Sequence, residues 1–293
     1  MSAPTTPRCP ACDAPLAESD RFCERCGAKL ADEGSTDRIE RDLLRAAAVS
    51  DRGLVHHRNE DAFFLEIVGD RNVAAVVCDG ISTASASDVA ARDAARAAGE
   101  VLVGAAGDPA RDGTTATEEA IGAATGAVAQ VQWTTRTRRV DPSCTLVSAL
   151  CRGDEIVVGW RGDSRAYWID DGGPRQITTD ETLAEESVAQ GLITPEEAAR
   201  SPYLHSVTNW VGPDAPDRPP RVATVRPERP GRLLLCTDGL WNYLTTADAL
   251  GDLLGALPAG ASAAGVARSL ADAAVGRGGR DNITVAVIDF DPT

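Results

Sequence analysis

The sequence predicts a layered α+β sandwich preceded by a small cysteine-rich module. Strand-like runs bounded by Gly, Asp or Pro are grouped apart from pairs of Ala-rich segments with helical periodicity. Doubly wound parallel sheets need strands and helices in regular alternation, so this grouping favours the layered arrangement. The 293 residues suffice for one large domain and a small module, and their 43% apolar content is ordinary for a globular core.

Seven strands and four helices are predicted after the cysteine-rich module. The strands are residues 62–68, 73–78, 145–151, 155–160, 166–170, 232–236 and 283–290. The helices are residues 87–103, 118–135, 247–257 and 261–275, because their apolar residues recur at three- and four-residue spacings. Ser262 and Asp248 are expected to cap helix starts, and residues 107–117 and 212–221 are expected to be loops.

The charge of the chain limits its partners. A formal net charge of −15 disfavours binding to nucleic acid or to an anionic membrane, because their phosphates would repel the protein. The N-terminus shows no secretory signal, and no apolar run approaches the roughly 20 residues that span a bilayer. We therefore expect a cytoplasmic protein with neither nucleic acid nor membrane as a partner.

Four cysteines form two CxxC pairs, Cys9 with Cys12 and Cys23 with Cys26. Two such turns supply four thiolates for one tetrahedral Zn²⁺, which would drive folding of so short a segment; redox-active or disulfide-bonded cysteines are the alternative. Residues 1–30 resemble the zinc ribbons that precede many bacterial signalling domains. Basic and acidic residues balance here, which favours a structural or protein-binding role over nucleic-acid binding.

The rest of the chain divides at residue 49. Residues 31–48 are predicted to be a linker with a short helix near its end, and residues 49–293 to be the main domain. The other four cysteines are expected to be buried, reduced thiols; they are Cys78, Cys144, Cys151 and Cys236.

Carboxylates recur at the ends of the predicted strands. Asp79-Gly80 and Asp238-Gly239 each follow a buried run, and Glu60-Asp61, Asp163 and Asp281 flank other strands. A single Asp-Gly pair is usually a structural turn, but several carboxylates can cluster only if cations neutralise them. All-oxygen ligation favours Mg²⁺ or Mn²⁺. Two such ions about 4 Å apart can activate water for attack on a phosphoryl group.

Seven motifs in order make residues 50–291 resemble the protein phosphatase 2C family of metal-dependent phosphatases. They are Arg58-Asn59-Glu60-Asp61-Ala62, Val77-Cys78-Asp79-Gly80, Ser143-Cys144-Thr145, Gly162-Asp163-Ser164-Arg165-Ala166-Tyr167, Ile177-Thr178-Thr179-Asp180, Cys236-Thr237-Asp238-Gly239-Leu240-Trp241 and Asp281-Asn282-Ile283-Thr284-Val285. The resemblance implies a four-layer αββα sandwich of two antiparallel sheets flanked by helices. It also implies hydrolysis of phosphoserine and phosphothreonine in proteins phosphorylated by a Ser/Thr kinase.

The resemblance also implies a site with two ions, Mn²⁺ or Mg²⁺, and a third, weaker one. Asp79 would bridge the two ions and serve catalysis together with Asp238. Asp61 is preferred to Glu60 as a direct or water-mediated ligand. The other implied ligands are the Gly80 carbonyl, Asp281 beside Asp238, and Asp163 at the third ion. Residues 183–210 match the flap beside the active site, where substrates are discriminated.

The chain departs from the family pattern at three places. His56 occupies the position of the usual phosphate-binding arginine, so His56, Arg58 or ion-bound water is expected to hold the phosphate. The run Ile81-Ser82-Thr83-Ala84-Ser85 replaces a Gly-rich continuation, and Ile81 takes the place of a histidine acid found in some relatives. Glu181 replaces a further histidine. A catalytically weak or inactive pseudophosphatase that acts as a binding module is therefore the alternative. His205, in the flap, is expected to be a surface residue.

Overall fold

The computed structural model describes residues 14, 25–26, 37–133 and 140–292. The chain divides into two compact units, Met1–Thr36 and Asp37–Thr293. Three of the predicted zinc ligands, Cys9, Cys12 and Cys23, lie outside the described residues, and Cys26 is exposed. The zinc ribbon and its ion therefore remain predictions.

Two antiparallel sheets make up the centre of the second unit. The strands are β1 (Arg38–Asp42), β2 (Ala46–Asp51), β3 (Ala62–Val68), β4 (Asn72–Cys78), β5 (Leu146–Arg152), β6 (Glu155–Arg161), β7 (Arg165–Asp170), β8 (Gly173–Gln176), β9 (Arg221–Val225), β10 (Gly231–Cys236) and β11 (Ile283–Phe290). One sheet has the order β1-β2-β11-β10-β7-β8, and the other has the order β3-β4-β5-β6-β9. All of these strand pairs are antiparallel.

Helices cover the outer faces of both sheets, and two short helices lie in the flap. The helices are α1 (Ser87–Gly107), α2 (Gly113–Val128), α3 (Leu183–Ala189), α4 (Pro195–Ala198), α5 (Asp238–Trp241), α6 (Ala247–Gly255) and α7 (Ala263–Gly276). Within the described ranges, no helix combines the length and the apolar character needed to cross a membrane.

Three apolar layers hold the sheets and helices together. Leu65, Trp168 and Leu233 belong to the core between the two sheets. A second core joins α1 and α2 to the five-stranded sheet, and a third joins α5, α6 and α7 to the six-stranded sheet. The predicted four-layer αββα sandwich is therefore confirmed.

The small side chains of α1 explain how a chain poor in aromatics packs its outer layer. Ala90, Ala94, Ala98 and Leu102 recur at four-residue spacings and are fully buried, so one face of the helix lies close to the sheet. A Cβ atom at Gly99 would lie 2.2 Å from the Phe64 ring. Close packing of α1 fixes β4, which ends at Cys78, directly before Asp79 of the candidate site.

The predicted linker over residues 31–48 is replaced by strands from Arg38 onward. Ala46, Ala47 and Ala48 were expected to lie in a short helix, but together with Val49 they belong to β2, which pairs with both β1 and β11. These four residues are at most 1% exposed. A strand buried on both faces gives a continuous apolar run instead of an alternating pattern, so its periodicity is not diagnostic.

Other element boundaries differ in smaller ways. The short strands β8 and β9 are not predicted, and α2 begins inside the predicted loop 107–117. Ser262 caps α7 as predicted, because its Oγ accepts a hydrogen bond from Gly265 N at 3.1 Å. Thr246, and not Asp248, caps α6. The four scattered cysteines are buried, as predicted, and burial raises the pKa of Cys151 to about 12.

Candidate active site

Strands of both sheets end in one acidic cleft. Asp61 precedes β3 and Asp79 follows β4 in the five-stranded sheet, whereas Asp238 follows β10 and Asp281 precedes β11 in the six-stranded sheet. Asp163 lies in the connection that leads from β6 to β7, and so from one sheet to the other. The cleft has a volume of about 260 Å³, and its lining includes Asp79, Gly80, Asp163, His205, Asp238 and Asp281.

Two of these carboxylates have an oxygen with no hydrogen-bond partner among the described residues. Asp61 is buried, and its Oδ2 accepts a hydrogen bond from Thr237 Oγ1 at 2.9 Å, but its Oδ1 has no such partner. Asp238 Oδ1 is buried and unpartnered in the same way. Leaving a buried polar atom unpaired costs about 1–3 kcal/mol, so these atoms indicate a site for a ligand with positive charge.

Desolvation and mutual repulsion both act on the acidic groups. Burial raises the pKa of Asp61 to about 8, and the charges of Asp281 and Asp238 contribute, although hydrogen bonds from Thr284 and Thr237 lower it in part. Desolvation, followed by the neighbouring carboxylates, also raises the pKa of Asp79 and of Asp163 well above the usual range. The pKa of Asp281 is raised for the same reasons.

The residues of the cleft fit hard divalent cations. The donors are carboxylate oxygens, which Mg²⁺ and Mn²⁺ prefer, and a bound cation would neutralise the repulsion that raises the pKa of these groups. It would also give Asp61 Oδ1 and Asp238 Oδ1 the partner that they lack. The sequence-predicted carboxylates at strand ends are thus brought together with the chemistry that a cation centre needs.

Glu60 is held in a different way from Asp61. Its Oε1 accepts hydrogen bonds from Arg58 Nη2 at 2.7 Å and from Ser87 Oγ at 2.6 Å. Gly80 packs closely against the same segment, because a Cβ atom there would lie 2.6 Å from Glu60 O and 2.8 Å from Ser87 O. A glycine is therefore required after Asp79, as close approach of two backbone segments demands.

The two candidate phosphate-binding residues, Arg58 and His56, differ in their contacts with the cleft. Arg58 is half exposed, and its guanidinium is bound to Glu60, with Asp88 Oδ1 3.5 Å away. His56 Nε2 lies 3.3 Å from Asp281 Oδ1, and Arg52 Nη1 donates to the His56 carbonyl. Of these two residues, His56 is the one in contact with a carboxylate of the cleft.

His205 is a site residue that the sequence analysis missed. It is exposed, as predicted, but its Nδ1 lies 3.4 Å from Asp238 Oδ2, and its ring stacks on Trp241 with centroids 5.2 Å apart. The hydrogen bond to Asp238 raises the pKa of His205. One ligand atom each from Asp163, His205 and Asp238 lies within 4.8 Å of the others.

Trp241 connects the flap histidine to the sheets. Its indole Nε1 donates to Asp163 O at 2.9 Å, and the Arg165 guanidinium lies 3.9 Å from the centre of its ring. Arg165 is in turn paired with Asp180 through its Nε and Nη2 atoms. The only sequence signal for His205 was the motif residue Trp241, which offers a face on which an imidazole can stack.

We expect the metal-free protein to lose stability as the pH rises from about 4 to about 8. The pKa of Asp61 is about 8 in the folded protein against an ordinary value of 3.8, so the unfolded chain binds fewer protons over this range and the free energy of unfolding falls with pH. Thermal denaturation in EDTA between pH 5 and pH 8 measures this. Saturating Mn²⁺ should reverse the trend, because ion binding needs ionised carboxylates. A flat or rising Tm in EDTA would contradict the prediction.

Fold and site together define a two-sheet αββα protein with a cluster of carboxylates, suited to divalent cations, where the ends of its two sheets meet. Comparison with known proteins gives the same class. The chain belongs to the protein phosphatase 2C family, because the model of that family, described as protein phosphatase 2C, matches residues 55–273.

Individual relatives agree with this membership. The chain is 34% identical over 249 residues to the serine/threonine protein phosphatase PstP of Mycobacterium tuberculosis, covering 84% of this chain but 45% of PstP. It therefore spans about half the length of that curated relative. The crystal structure of the M. tuberculosis phosphatase PstP/Ppp has 30% identity and a TM-score of 0.66, covering 85% of this chain and 99% of that one. A structure of the PstP catalytic domain with two manganese ions has 30% identity and a TM-score of 0.63, and the match covers 84% of this chain and 97% of that one.

Proposed function

We propose that the protein is a metal-dependent serine/threonine protein phosphatase. The observation that carries this proposal is the cluster of five aspartates at the meeting ends of the two sheets, with unpartnered oxygens on Asp61 and Asp238. The relatives named as serine/threonine phosphatases, and the PstP domain described with two manganese ions, support it. The substrates would be phosphoserine and phosphothreonine residues of proteins that a Ser/Thr kinase has modified.

Each candidate ligand has a proposed role. Asp79 would bridge two ions with the Gly80 carbonyl beside it, and Asp238 and Asp281 would hold one of them. Asp61 would act directly or through water, and Asp163 with His205 would hold a weaker third ion. When bound, Mn²⁺ or Mg²⁺ polarises a phosphoryl oxygen and lowers the pKa of a coordinated water.

The surrounding residues hold these carboxylates in place. Thr237 donates to Asp61 Oδ2, while Asp61 Oδ1 is buried and has no partner among the described residues. Asn282 Nδ2 donates to Arg52 O and Arg58 O, while its Oδ1 accepts from Glu60 N. These bonds tie the segment that carries His56 to the start of β11, so that a phosphoryl group entering the cleft would meet preorganised partners.

The enzyme is favoured over the pseudophosphatase. A non-catalytic binding module would have no need to keep repelling carboxylates in one cleft, and such groups lower the stability of the metal-free fold. Here none of the matching aspartates is replaced, and desolvation together with the charges of neighbouring carboxylates raises the pKa of Asp79, Asp163 and Asp281.

Hydrolysis of a phosphothreonine peptide tests the proposal. The wild-type protein is expected to release phosphate with Mn²⁺ and not with EDTA, and Asp238→Asn should lose this turnover. His56→Ala and Arg58→Ala, assayed in parallel, would identify the phosphate-binding residue by the larger rise in KM. A folded, Mn²⁺-binding wild-type protein without turnover would favour the binding module instead.

The N-terminal segment is proposed to be a zinc ribbon with one structural Zn²⁺. The spacing of Cys9, Cys12, Cys23 and Cys26 supports this, and its balanced charge supports a protein partner over nucleic acid. We also propose a cytoplasmic location, since the four buried thiols of the second unit suit a reducing compartment. Zinc analysis of the purified protein with and without Cys9→Ser tests the ribbon.

A further inference from the structure

Glu181 is a buried carboxylate outside the acidic cleft. Its side chain is 4% exposed and lies at the start of the flap, just before α3. Oε2 accepts from Gly162 N at 3.0 Å, and Oε1 accepts from Arg221 Nε at 3.1 Å. Asn209 Nδ2 donates to both oxygens at 3.1 Å. One side chain thus joins four segments: the start of the flap, its return at Asn209, the β6–β7 connection and β9.

Backbone hydrogen bonds of Glu181 also join the flap to the β6–β7 connection. Glu181 N donates to Gly162 O at 3.0 Å, and Thr208 N donates to Glu181 O at 2.8 Å. Leu183 N donates to Ser206 O at 2.9 Å, which closes the base of the flap. The two ends of the flap are therefore fastened to each other and to Gly162, the residue directly before Asp163.

The flap carries His205, whose imidazole reaches the cleft. His205 lies three residues before Thr208, and its Nδ1 is 3.4 Å from Asp238 Oδ2. Gly162 has φ +98°, and a Cβ atom there would meet Thr145 Cγ2 at 2.7 Å, so this connection has little freedom. We therefore expect a change at Glu181 to displace the flap more than the connection at Gly162.

We propose that Glu181 is a positioning residue that sets the flap over the acidic cleft and thereby controls the reaction with protein substrates. This rests on the proposed phosphatase function. A phosphopeptide extends beyond the cleft and needs the flap in place, whereas a small ester such as p-nitrophenyl phosphate needs only the carboxylates and their ions. Glu181 should therefore matter more for the peptide than for the small ester.

The charged form of the side chain is required for this arrangement. Both oxygens accept hydrogen bonds, from a backbone N–H, an amide NH₂ and a guanidinium. In Glu181→Gln, the amide NH₂ would face one of these donors whichever way the amide turned, because glutamine offers only one acceptor oxygen. The substitution preserves size and shape while breaking the connection between the flap and Gly162 or Arg221.

Steady-state kinetics of Glu181→Gln with both substrates is the test, in full-length protein with Mn²⁺. We expect kcat/KM for a phosphothreonine peptide to fall roughly 10- to 100-fold, as a misplaced binding element does, mainly through KM. Turnover of p-nitrophenyl phosphate should change by less than about threefold. Amide exchange at Thr208 should accelerate in the same variant, since its N–H is bonded to Glu181 O.

Glu186→Gln is the matched control. Glu186 also lies in the flap and pairs with an arginine, because its Oε1 accepts from Arg218 Nη1 and Thr208 Oγ1. It is more exposed, at 27% of its side chain, and it has no described contact with Gly162. Its substitution is expected to leave the ratio of the two activities unchanged.

The outcomes distinguish the positioning role of Glu181 from a general structural role. Equal losses on both substrates, or unchanged exchange at Thr208, would overturn the proposal. If Glu181→Gln does not fold, Asn209→Ala removes the side-chain bonds between Glu181 and the flap and keeps the bond to Gly162. It should likewise lower the activity on the peptide more than the activity on p-nitrophenyl phosphate. If the wild-type protein shows no phosphatase activity, the proposed function fails, whereas exchange at Thr208 still reports whether Glu181 fastens the flap.

Discussion

Asp79→Asn is expected to stabilise the metal-free protein and to abolish its metal-dependent activity. Desolvation and the charges of Asp61, Asp238 and Asp281 raise the pKa of Asp79 well above its usual range, so its ionised form destabilises the empty site. A neutral amide of the same shape removes that repulsion. Tm should rise by roughly 2–4 °C for each kcal/mol of repulsion removed in a domain of this size.

The same substitution removes the proposed bridging ligand. We expect kcat for a phosphothreonine peptide to fall by about 10³-fold or more, since loss of a catalytic ion forfeits several kcal/mol of transition-state stabilisation. Two scans, one in EDTA and one in Mn²⁺, distinguish the effects: Mn²⁺ should raise the Tm of the wild type and leave that of the variant unchanged. Asp70→Asn, in the exposed turn between β3 and β4, is the control. A lower Tm of Asp79→Asn in EDTA would show that repulsion does not dominate the site.

Of the glycine-to-alanine substitutions near the site, Gly239→Ala is expected to destabilise the protein most. A Cβ atom at Gly239 would lie 1.9 Å from Asn282 O and 2.8 Å from Asn282 C, and neither backbone atom can move without displacing the start of β11. Because Asn282 also holds Arg52, Arg58 and Glu60, the displacement would spread to several segments around the cleft. The free energy of unfolding should fall by about 3 kcal/mol.

Urea denaturation and Mn²⁺ titration measure the two consequences of Gly239→Ala. The affinity for Mn²⁺ should fall with the stability, because Asp238 and Asp281 are adjacent to the two residues that would clash. Gly122→Ala, on the exposed face of α2 with nothing within 4 Å of the added Cβ, should instead stabilise by about 0.5–1 kcal/mol. Equal stability of Gly239→Ala and wild type would contradict the close contact.

Local sequence patterns sufficed to predict the strands whose ends carry the site residues. The runs before Asp79 and Asp238 are apolar, strand-sized and stopped by an Asp-Gly pair, so they were predicted close to their observed bounds. β1 and β2 were missed because Ala46, Ala47 and Ala48 have the composition of a helix, and only their pairing with β11 makes them a strand. Tertiary pairing overrides weak local preference in such segments.

Some residues of the candidate site could likewise be predicted from local sequence patterns, and others could not. Its five aspartates could be predicted because each lies within two residues of the end of a strand. His205 could not, since its contact with Asp238 joins positions 33 residues apart in a flap with no regular pattern. Glu181 was noted only as a departure from the family, because its partners Gly162, Asn209 and Arg221 lie far apart in the sequence.

The two edge strands of the six-stranded sheet, β1 and β8, have features that discourage pairing with strands of other chains. β1 carries Arg38, Glu40, Arg41 and Asp42 on a mostly exposed edge, and β8 at the opposite edge contains Pro174, which has no N–H to offer. Charges and proline on edge strands discourage strand addition and aggregation. A chain shortened to the predicted boundary at residue 49 would lose β1 and half of β2. It would then expose β11, an eight-residue apolar strand, as a template for self-association.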